Sequence, residues 1–228
     1  KGPQWPLARK QANLVDPAKV ELPPYYPDHP IIRDEVANYI DAVNNWDRQV
    51  GVVIDELRKD GLLDNTLIFV FGDNGRCLLR NKQWLYDGGT HVPLIARWPG
   101  RIKPGTVRRD PVISLDITAA TLDAAGVPHP KLFHGQSLFG KAKPRTEIFT
   151  ARDRCDMTVD RIRAVRDSRY KLIHNFYPDR SYSQFNEYIR NSYPALPVIQ
   201  DLGRQGKLNE IQARWVAPTR PEFELYDH

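Results

Sequence analysis

Residues 73–82 read DNGRCLLRNK: an acid and an amide side by side, then three cations, Arg76, Arg80 and Lys82. Adjacent Asp73 and Asn74 offer only oxygen donors, which suits a hard cation such as Ca2+ or Mg2+. Gly72 and Gly75 let the backbone bend so that both oxygens face one point. A lysine near a divalent cation makes electrostatic sense when an anion lies between them. A sulfate or phosphate group fits, its oxygens shared by metal and ammonium. Arg76 and Arg80 would add to that positive field and contact the substrate. Each feature also has a plainer reading. Asp-Asn-Gly is a common tight turn, and on those three residues alone the turn is the stronger reading. A hairpin needs a matching strand at once, however, and RCLLRNK is a poor partner for the run before it. Lys82 taken alone reads as a solvated surface cation, like most lysines.

The elements around these residues must position them. Leu67–Phe71 is a continuous apolar run, the pattern of a strand buried on both faces in a parallel sheet flanked by helices. Ligands gather beyond the carboxyl ends of such strands, and Asp73 stands there. Val92–Pro99 reads as a second short strand. Upstream, Ile31–Lys59 has a helical period: Ile32, Val36, Tyr39, Ile40, Val43, Trp46, Val50, Val53, Ile54 and Leu57 form one stripe, and Gly61 is the stop. SLDITAATLDAAGV is a further helix, with Ile117, Leu122 and Ala125 inward. This mixture predicts an α/β class. After residue 140 the pattern alternates, and the two runs flanking RDSR predict an antiparallel pair. The tail from Tyr177 to His228 reads as aromatic and irregular, with a helical piece near Leu208–Trp215. Residues 1–142 are therefore expected to form an α/β core portion, and residues 143–228 a smaller antiparallel α+β portion, joined near KAKPRTE.

The 228 residues carry a net charge of +5 and are 41% apolar, enough for a real core. The basic residues are scattered, which argues against a nucleic-acid surface. Two cysteines, Cys77 and Cys155, make neither a disulfide framework nor a zinc site. No stretch approaches the roughly 18 apolar residues of a membrane span. The chain starts without Met and stops abruptly, so both ends are expected to be cut.

The order GDNG…K…LYDGG…VPLIARWPG resembles the second signature region of the sulfatase family, in the alkaline-phosphatase-like superfamily. NYIDAVNNWDRQVGVVIDELRKDGLLDNTLIFVFGDNG is similar to the helix and strand leading into that family's metal site. LDITAATLDAAGV followed by HGQSLFG is similar to its next helix and G-x-S-L turn. The likeness covers residues 20–175 and a terminal ELYD, where relatives begin a final segment. It implies part of an alkaline-phosphatase-like sheet flanked by helices. It places Asp73 and Asn74 on the family's calcium ligands, with Mg2+ as the alternative ion. It places Lys82 on the lysine that contacts the sulfate. His91 stands where many relatives have arginine, and the resemblance implies a role in orienting the site or recognising substrate; a packing histidine is an equal reading.

The family's nucleophile is a Cys or Ser in C/S-x-P-S/A-R, oxidised to formylglycine. Here Cys77 begins CLLR, Cys155 begins CDMTV, and SYPAL from Ser192 has Leu196 in place of arginine. The resemblance therefore implies the C-terminal half of a sulfatase, inactive alone, with its nucleophile upstream. The run RIRAVRDSRYKLIHNFYPDRSYSQF resembles bacterial relatives of heparan N-sulfatase, which implies a sulfated glycan such as glucosamine N-sulfate as substrate. A phosphodiesterase or phosphonate monoester hydrolase of the same superfamily, or a non-catalytic anion-binding relative, are the alternatives. Periplasmic, secreted or lysosomal placement is implied by resemblance.

Overall fold

A computed structural model describes residues 14–140 and 143–228; the start of the proline-rich leader and two residues of the KAKPRTE joint lie outside them. The long helix is α1, Pro30–Lys59. His29 caps it, its Nδ1 accepting from the Ile31 N–H at 3.2 Å. Pro30 follows in the first turn, where a missing N–H costs nothing. Gly61, at φ +69°, lets the chain turn away. The expected stripe is buried only near the start of the helix. Ile32 and Val36 are buried, whereas Val43, Trp46 and Val53 are exposed. The first turns meet the rest of the core; the later ones meet no such surface among the described residues.

Strand β1, Ile68–Phe71, pairs with β2, Leu94–Arg97, from Ile68↔Arg97 to Phe71↔Leu94. This corrects the parallel-sheet expectation, because the pair is antiparallel. The strands are also half-buried, with Ile95 62% exposed. A continuous apolar run shows that both faces are apolar; it does not show how fully either is covered or which way a partner runs. Between the strands lies the loop 72–93. It contains the single turn α2, Asp87–Thr90. Helix α3 follows at Ser114–Ala124. Asp116 holds its start, accepting from the Ile113 N–H at 2.9 Å. Arg145 grips the same carboxylate with two bonds, at 2.5 and 2.8 Å. Ile117 and Leu122 are half-buried as expected, but Ala125 is exposed at the end of the helix, where Ala119 and Ala120 form the buried side instead.

The C-terminal sheet is antiparallel, in the order β3 (Ile148–Cys155), β4 (Thr158–Arg166), β5 (Tyr170–Asn175), β6 (Phe223–Asp227). Asp167 makes the β4–β5 turn, its Oδ1 accepting from the N–H groups of Arg169 and Tyr170 at 2.8 and 2.6 Å. The terminal ELYD lies in the edge strand β6. Between β5 and β6 come α4 (Glu187–Ser192), α5 (Ala195–Arg204) and α6 (Glu210–Ala213), the last running into a 3-10 turn at Arg214–Val216. The final piece is the one read from sequence. The earlier two correct the expectation of an irregular tail. Pro194 and Pro197 argue against a helix, yet they fall at its cap and in its first turn, where proline is tolerated.

One cluster of buried side chains draws on both portions: Ile32 and Val36 from α1, Leu78, Leu79 and Trp84 from the loop, Ile162 and Ile173 from the sheet, Tyr193 and Ile199 from the C-terminal helices. Helices α1 and α5 pack together, and a buried acid joins them. Glu35, 2% exposed, accepts the Ala195 N–H at 2.5 Å. Burial pushes its carboxyl up to about 7, against the pull of that bond. Because the folded value lies above the unfolded one, the folded state binds the proton more tightly. Stability is then greatest below the ordinary carboxylate range and falls as pH rises to about 7. The cost is about 3 kcal/mol once Glu35 is ionised. Replacing Glu35 with Gln should flatten the melting temperature between pH 5 and 8, while the native protein loses stability over that interval. Equal slopes for both proteins would count against this assignment.

Candidate functional site

Loop 72–93 is a compact excursion whose two ends are tied together. The Gly72 N–H donates to Pro93 O at 3.1 Å and the Arg76 N–H to Gly88 O at 3.1 Å. Glycines make the closure possible. A Cβ on Gly75 would come within 2.3 Å of the Gly89 Cα, and one on Gly89 within 2.0 Å of Trp84 O. Side chains fix the rest: Leu78, Leu79, Trp84 and Leu85 are buried. Arg80 and Gln83 are held at φ 64° and 75°. Non-glycine residues in that region cost about 1–3 kcal/mol each and persist where their surroundings over-determine them.

Asp73 and Asn74 sit in the bend that opens this loop, not in a two-residue hairpin turn. The Asn74 Oδ1 is buried and has no hydrogen-bond partner. The Asp73 carboxylate is exposed and makes no hydrogen bond among the described residues. An unpartnered amide oxygen beside a free carboxylate fits a hard cation, since both groups present lone pairs and no protons. Among the described residues no group of three His, Cys, Asp or Glu side chains is placed to hold a metal. A full coordination shell would need further oxygen donors.

Lys82 is half-buried. Its Nζ lies 3.5 Å from the Tyr188 hydroxyl and 5.0 Å from the centre of that ring. Burial opposes its charge, but Cys77, Tyr188 and Asp73 outweigh burial and hold the ammonium above the ordinary lysine range. Cys77 feels both charges. Burial, assisted by Asp73 and opposed by Lys82, pushes its thiol up, so it is a packing group and not a nucleophile. Asp73, Asn74 and Lys82 thus belong to one neighbourhood.

The other sequence candidates lie around it. Arg76 is exposed and near enough to Tyr39 to act on its phenol. Arg80 points elsewhere, 4.9 and 4.4 Å over the rings of Tyr25 and Tyr86, and bonds the Tyr226 hydroxyl at 3.3 Å. It lines an aromatic cavity of about 230 Å³ with those tyrosines and Trp215. His91 is exposed at the end of α2; its N–H bonds Asp87 O at 2.8 Å, and its imidazole makes no hydrogen bond among the described residues.

Sequence reasoning missed the groups that hold the loop. Lys171, buried on β5, donates to Leu85 O at 2.8 Å and Thr90 Oγ1 at 2.9 Å, and pairs with Asp87 at 2.7 Å. Arg166 reaches both oxygens of Asp87, at 3.0 and 2.9 Å. Strand alternation was the available signal, because it puts Lys171 on the same face as Ile173 and Asn175. Replacing Lys171 with Met should destabilise the protein by about 1–3 kcal/mol, since Leu85 O and Thr90 Oγ1 lose their buried donor while Asp87 keeps Arg166. Denaturant unfolding measures this; a loss under about 1 kcal/mol would contradict the clamp.

The sulfatase family model matches residues 4–127, and a model described as N-sulphoglucosamine sulphohydrolase, C-terminal, matches residues 75–195. The chain is 36% identical over 216 residues to the ulvan-active sulfatase of Formosa agariphila, covering 94% of this chain and 36% of that protein. It is 32% identical over 177 residues to the human N-sulphoglucosamine sulphohydrolase, covering 72% of this chain and 35% of that one. A solved structure in complex with its substrate D-glucosamine-2-N,6-O-disulfate superimposes with a TM-score of 0.51 at 25% identity, over 68% of this chain and 33% of that chain. The chain spans about a third of the length of these curated relatives.

Proposed function

The chain belongs to the sulfatase family, and from that premise we propose that it is the C-terminal part of an enzyme hydrolysing sulfate esters or sulfamates of a sulfated glycan, with glucosamine N-sulfate as the substrate class. The observation carrying this reading is the shared neighbourhood of Asp73, Asn74 and Lys82 on one glycine-braced loop. Lys82 binds the sulfate of the substrate and offsets the negative charge that grows on its oxygens during transfer. Tyr188, backed edge-on by the buried Tyr193, holds the ammonium in place and keeps its charge poorly screened. Asp73 and Asn74 hold a divalent cation, Ca2+ by preference, through oxygen atoms alone. Such an ion supplies Lewis-acid polarisation of the sulfate. The nucleophile is the family's formylglycine, supplied by sequence preceding this segment. His91, exposed at the rim, contacts substrate rather than transferring a proton, and Arg76 contributes positive potential. The enzyme acts in the periplasm, outside the cell or in the lysosome. No helix among the described residues is long and apolar enough to cross a membrane.

Sulfate release from N-sulfated glucosamine by the full-length protein tests the reading. Lys82→Ala should lower kcat by about 10²–10³ with the fold intact. Phosphonate ester cleavage without sulfate release would favour a phosphonate monoester hydrolase, and tight sulfate binding without turnover of either would leave an anion-binding relative. The cation has its own test. Ca2+ at about a hundredfold excess over its Kd should add about 3 kcal/mol of stability to the chelator-treated protein, and Asn74→Ala should abolish the gain. A melting temperature indifferent to both chelator and Ca2+ would remove Asp73 and Asn74 from the metal site.

A further inference from the structure

The cavity beside Arg80 measures about 230 Å³, and none of Asp73, Asn74 or Lys82 lines it. Its walls are aromatic: Tyr25, Tyr26, Tyr86, Tyr182, Trp215 and Phe223. Its charged groups are the cations Arg80 and Arg214 and the single acid Glu224. Ile211, Arg214, Phe223 and Leu225 are exposed, so the cavity opens to solvent beside them.

The hydrogen-bonding groups of this cavity are unevenly used. Glu224 is saturated, accepting from the hydroxyls of Tyr86, Tyr182 and Tyr226 at 2.9, 2.8 and 2.6 Å and from the Asn175 amide at 2.8 Å. The Tyr26 hydroxyl donates to Leu79 O at 2.8 Å. Donors are left over. Arg80 makes one long bond, to the Tyr226 hydroxyl at 3.3 Å, and its other N–H groups have no acceptor among the described residues. Its guanidinium carbon lies 4.9 and 4.4 Å over the rings of Tyr25 and Tyr86, which fix the group but take no directed hydrogen bond. Trp215 is 8% exposed, and its indole Nε1, a donor only, is buried with no acceptor. A buried donor left unpaired is costly. Arg80 also sits at φ 64°, a strained backbone for a residue with a side chain, and such strain marks a side chain whose position matters.

We propose that this cavity binds a small aromatic carboxylate, its oxygens taken by Arg80 and the Trp215 indole and its ring packed on the tyrosine walls. The paired oxygens of a carboxylate match the planar edge of a guanidinium. The volume falls below the roughly 300–1,000 Å³ of cavities that take drug-sized ligands, which limits the occupant to about one substituted ring. A sugar is a poor match. Its hydroxyls bring donors of their own, and the acid that would receive them is already saturated. The site stands independently of the sulfatase reading, because it uses none of the residues assigned to the sulfate or the cation.

Isothermal titration of the full-length protein with 4-hydroxybenzoate tests this. 4-Hydroxybenzyl alcohol serves as the neutral counterpart, and glucuronate as an acid without an aromatic ring. The benzoate should bind with a Kd at or below about 1 mM, and each of the other two about tenfold or more weakly. Arg80→Asn removes the guanidinium, and asparagine tolerates the left-handed backbone; it should weaken the benzoate about tenfold or more. Ile211→Trp, at the exposed rim, should weaken it similarly by bulk while every buried wall residue stays in place. No binding of the benzoate at about 10 mM, or equal affinity for the alcohol, overturns the proposal. So does affinity preserved in Arg80→Asn or, where that variant does not fold, in Ile211→Trp. Glucuronate bound as tightly as the benzoate also overturns it, and leaves a site for sugar acids. Sulfate release plays no part in the measurement, so failure of the sulfatase reading leaves this test intact.

Discussion

A lysine ammonium taken out of water has three N–H donors to place, and Lys171 places all three on the loop that carries the candidate site. Leu85 O, Thr90 Oγ1 and Asp87 Oδ1 receive them at 2.8, 2.9 and 2.7 Å. Burial lowers the ammonium below the ordinary lysine range while Asp87 opposes that shift, so the charge is kept by its partner. An uncompensated charge at this position would be strongly destabilising, which makes the contact close to all-or-none. The loop is therefore fixed from beneath by the C-terminal sheet, and its glycines then determine how tightly it can close above.

The same constraint explains why the inner face of that sheet is unusually polar. A sheet that supports a helix needs an apolar face; one that supports an irregular loop must satisfy the loop's backbone and side-chain polar groups. Glu224 accepts from the hydroxyls of Tyr86, Tyr182 and Tyr226 and from the Asn175 amide. Three phenols on one carboxylate join the loop, the C-terminal tail and the edge strand. Burial and the Glu224 charge push the Tyr86 phenol well above its ordinary range, so these remain hydrogen-bond donors at any working pH. Trp84 fills the remaining space, with Tyr182 and Trp215 at 5.4 and 5.3 Å.

What could be read from sequence was what depends on local pattern. The period of Pro30–Lys59, the β4–β5 turn at Asp167 and the oxygen-only pair at Asp73 and Asn74 each follow from neighbouring residues. The antiparallel course of β2 did not, because an apolar run carries no direction. Helix α5 was hidden by prolines whose positions happen to be permissive, and α4 is only six residues long. Arg80 was grouped with Lys82 because they are two residues apart. The left-handed backbone at Arg80 and Gln83 swings neighbouring side chains to different sides, and no composition rule anticipates that for non-glycine residues. Lys171 and Arg152 were legible only as charges on the inward phase of an alternating strand, a pattern that does not say what they meet.

The site therefore depends on residues far from it in sequence. Lys82 leans on Tyr188, more than a hundred residues later, and Asp87 on Arg166 and Lys171. Helix α4 is in turn tied to the β3–β4 turn through Asn186. A substitution in the C-terminal portion can thus move the ammonium at Lys82 without touching the loop. The buried and unpartnered Asn74 Oδ1, and the two strained residues beyond it, show the opposite side of the same design. The loop keeps groups that would be cheaper in water, at about 1–3 kcal/mol each, and the clamp beneath supplies the stability that lets it do so. Rigidity contributed by the sheet is what lets the Asn74 Oδ1 stay buried without a hydrogen-bond partner, the condition that the proposed cation site requires.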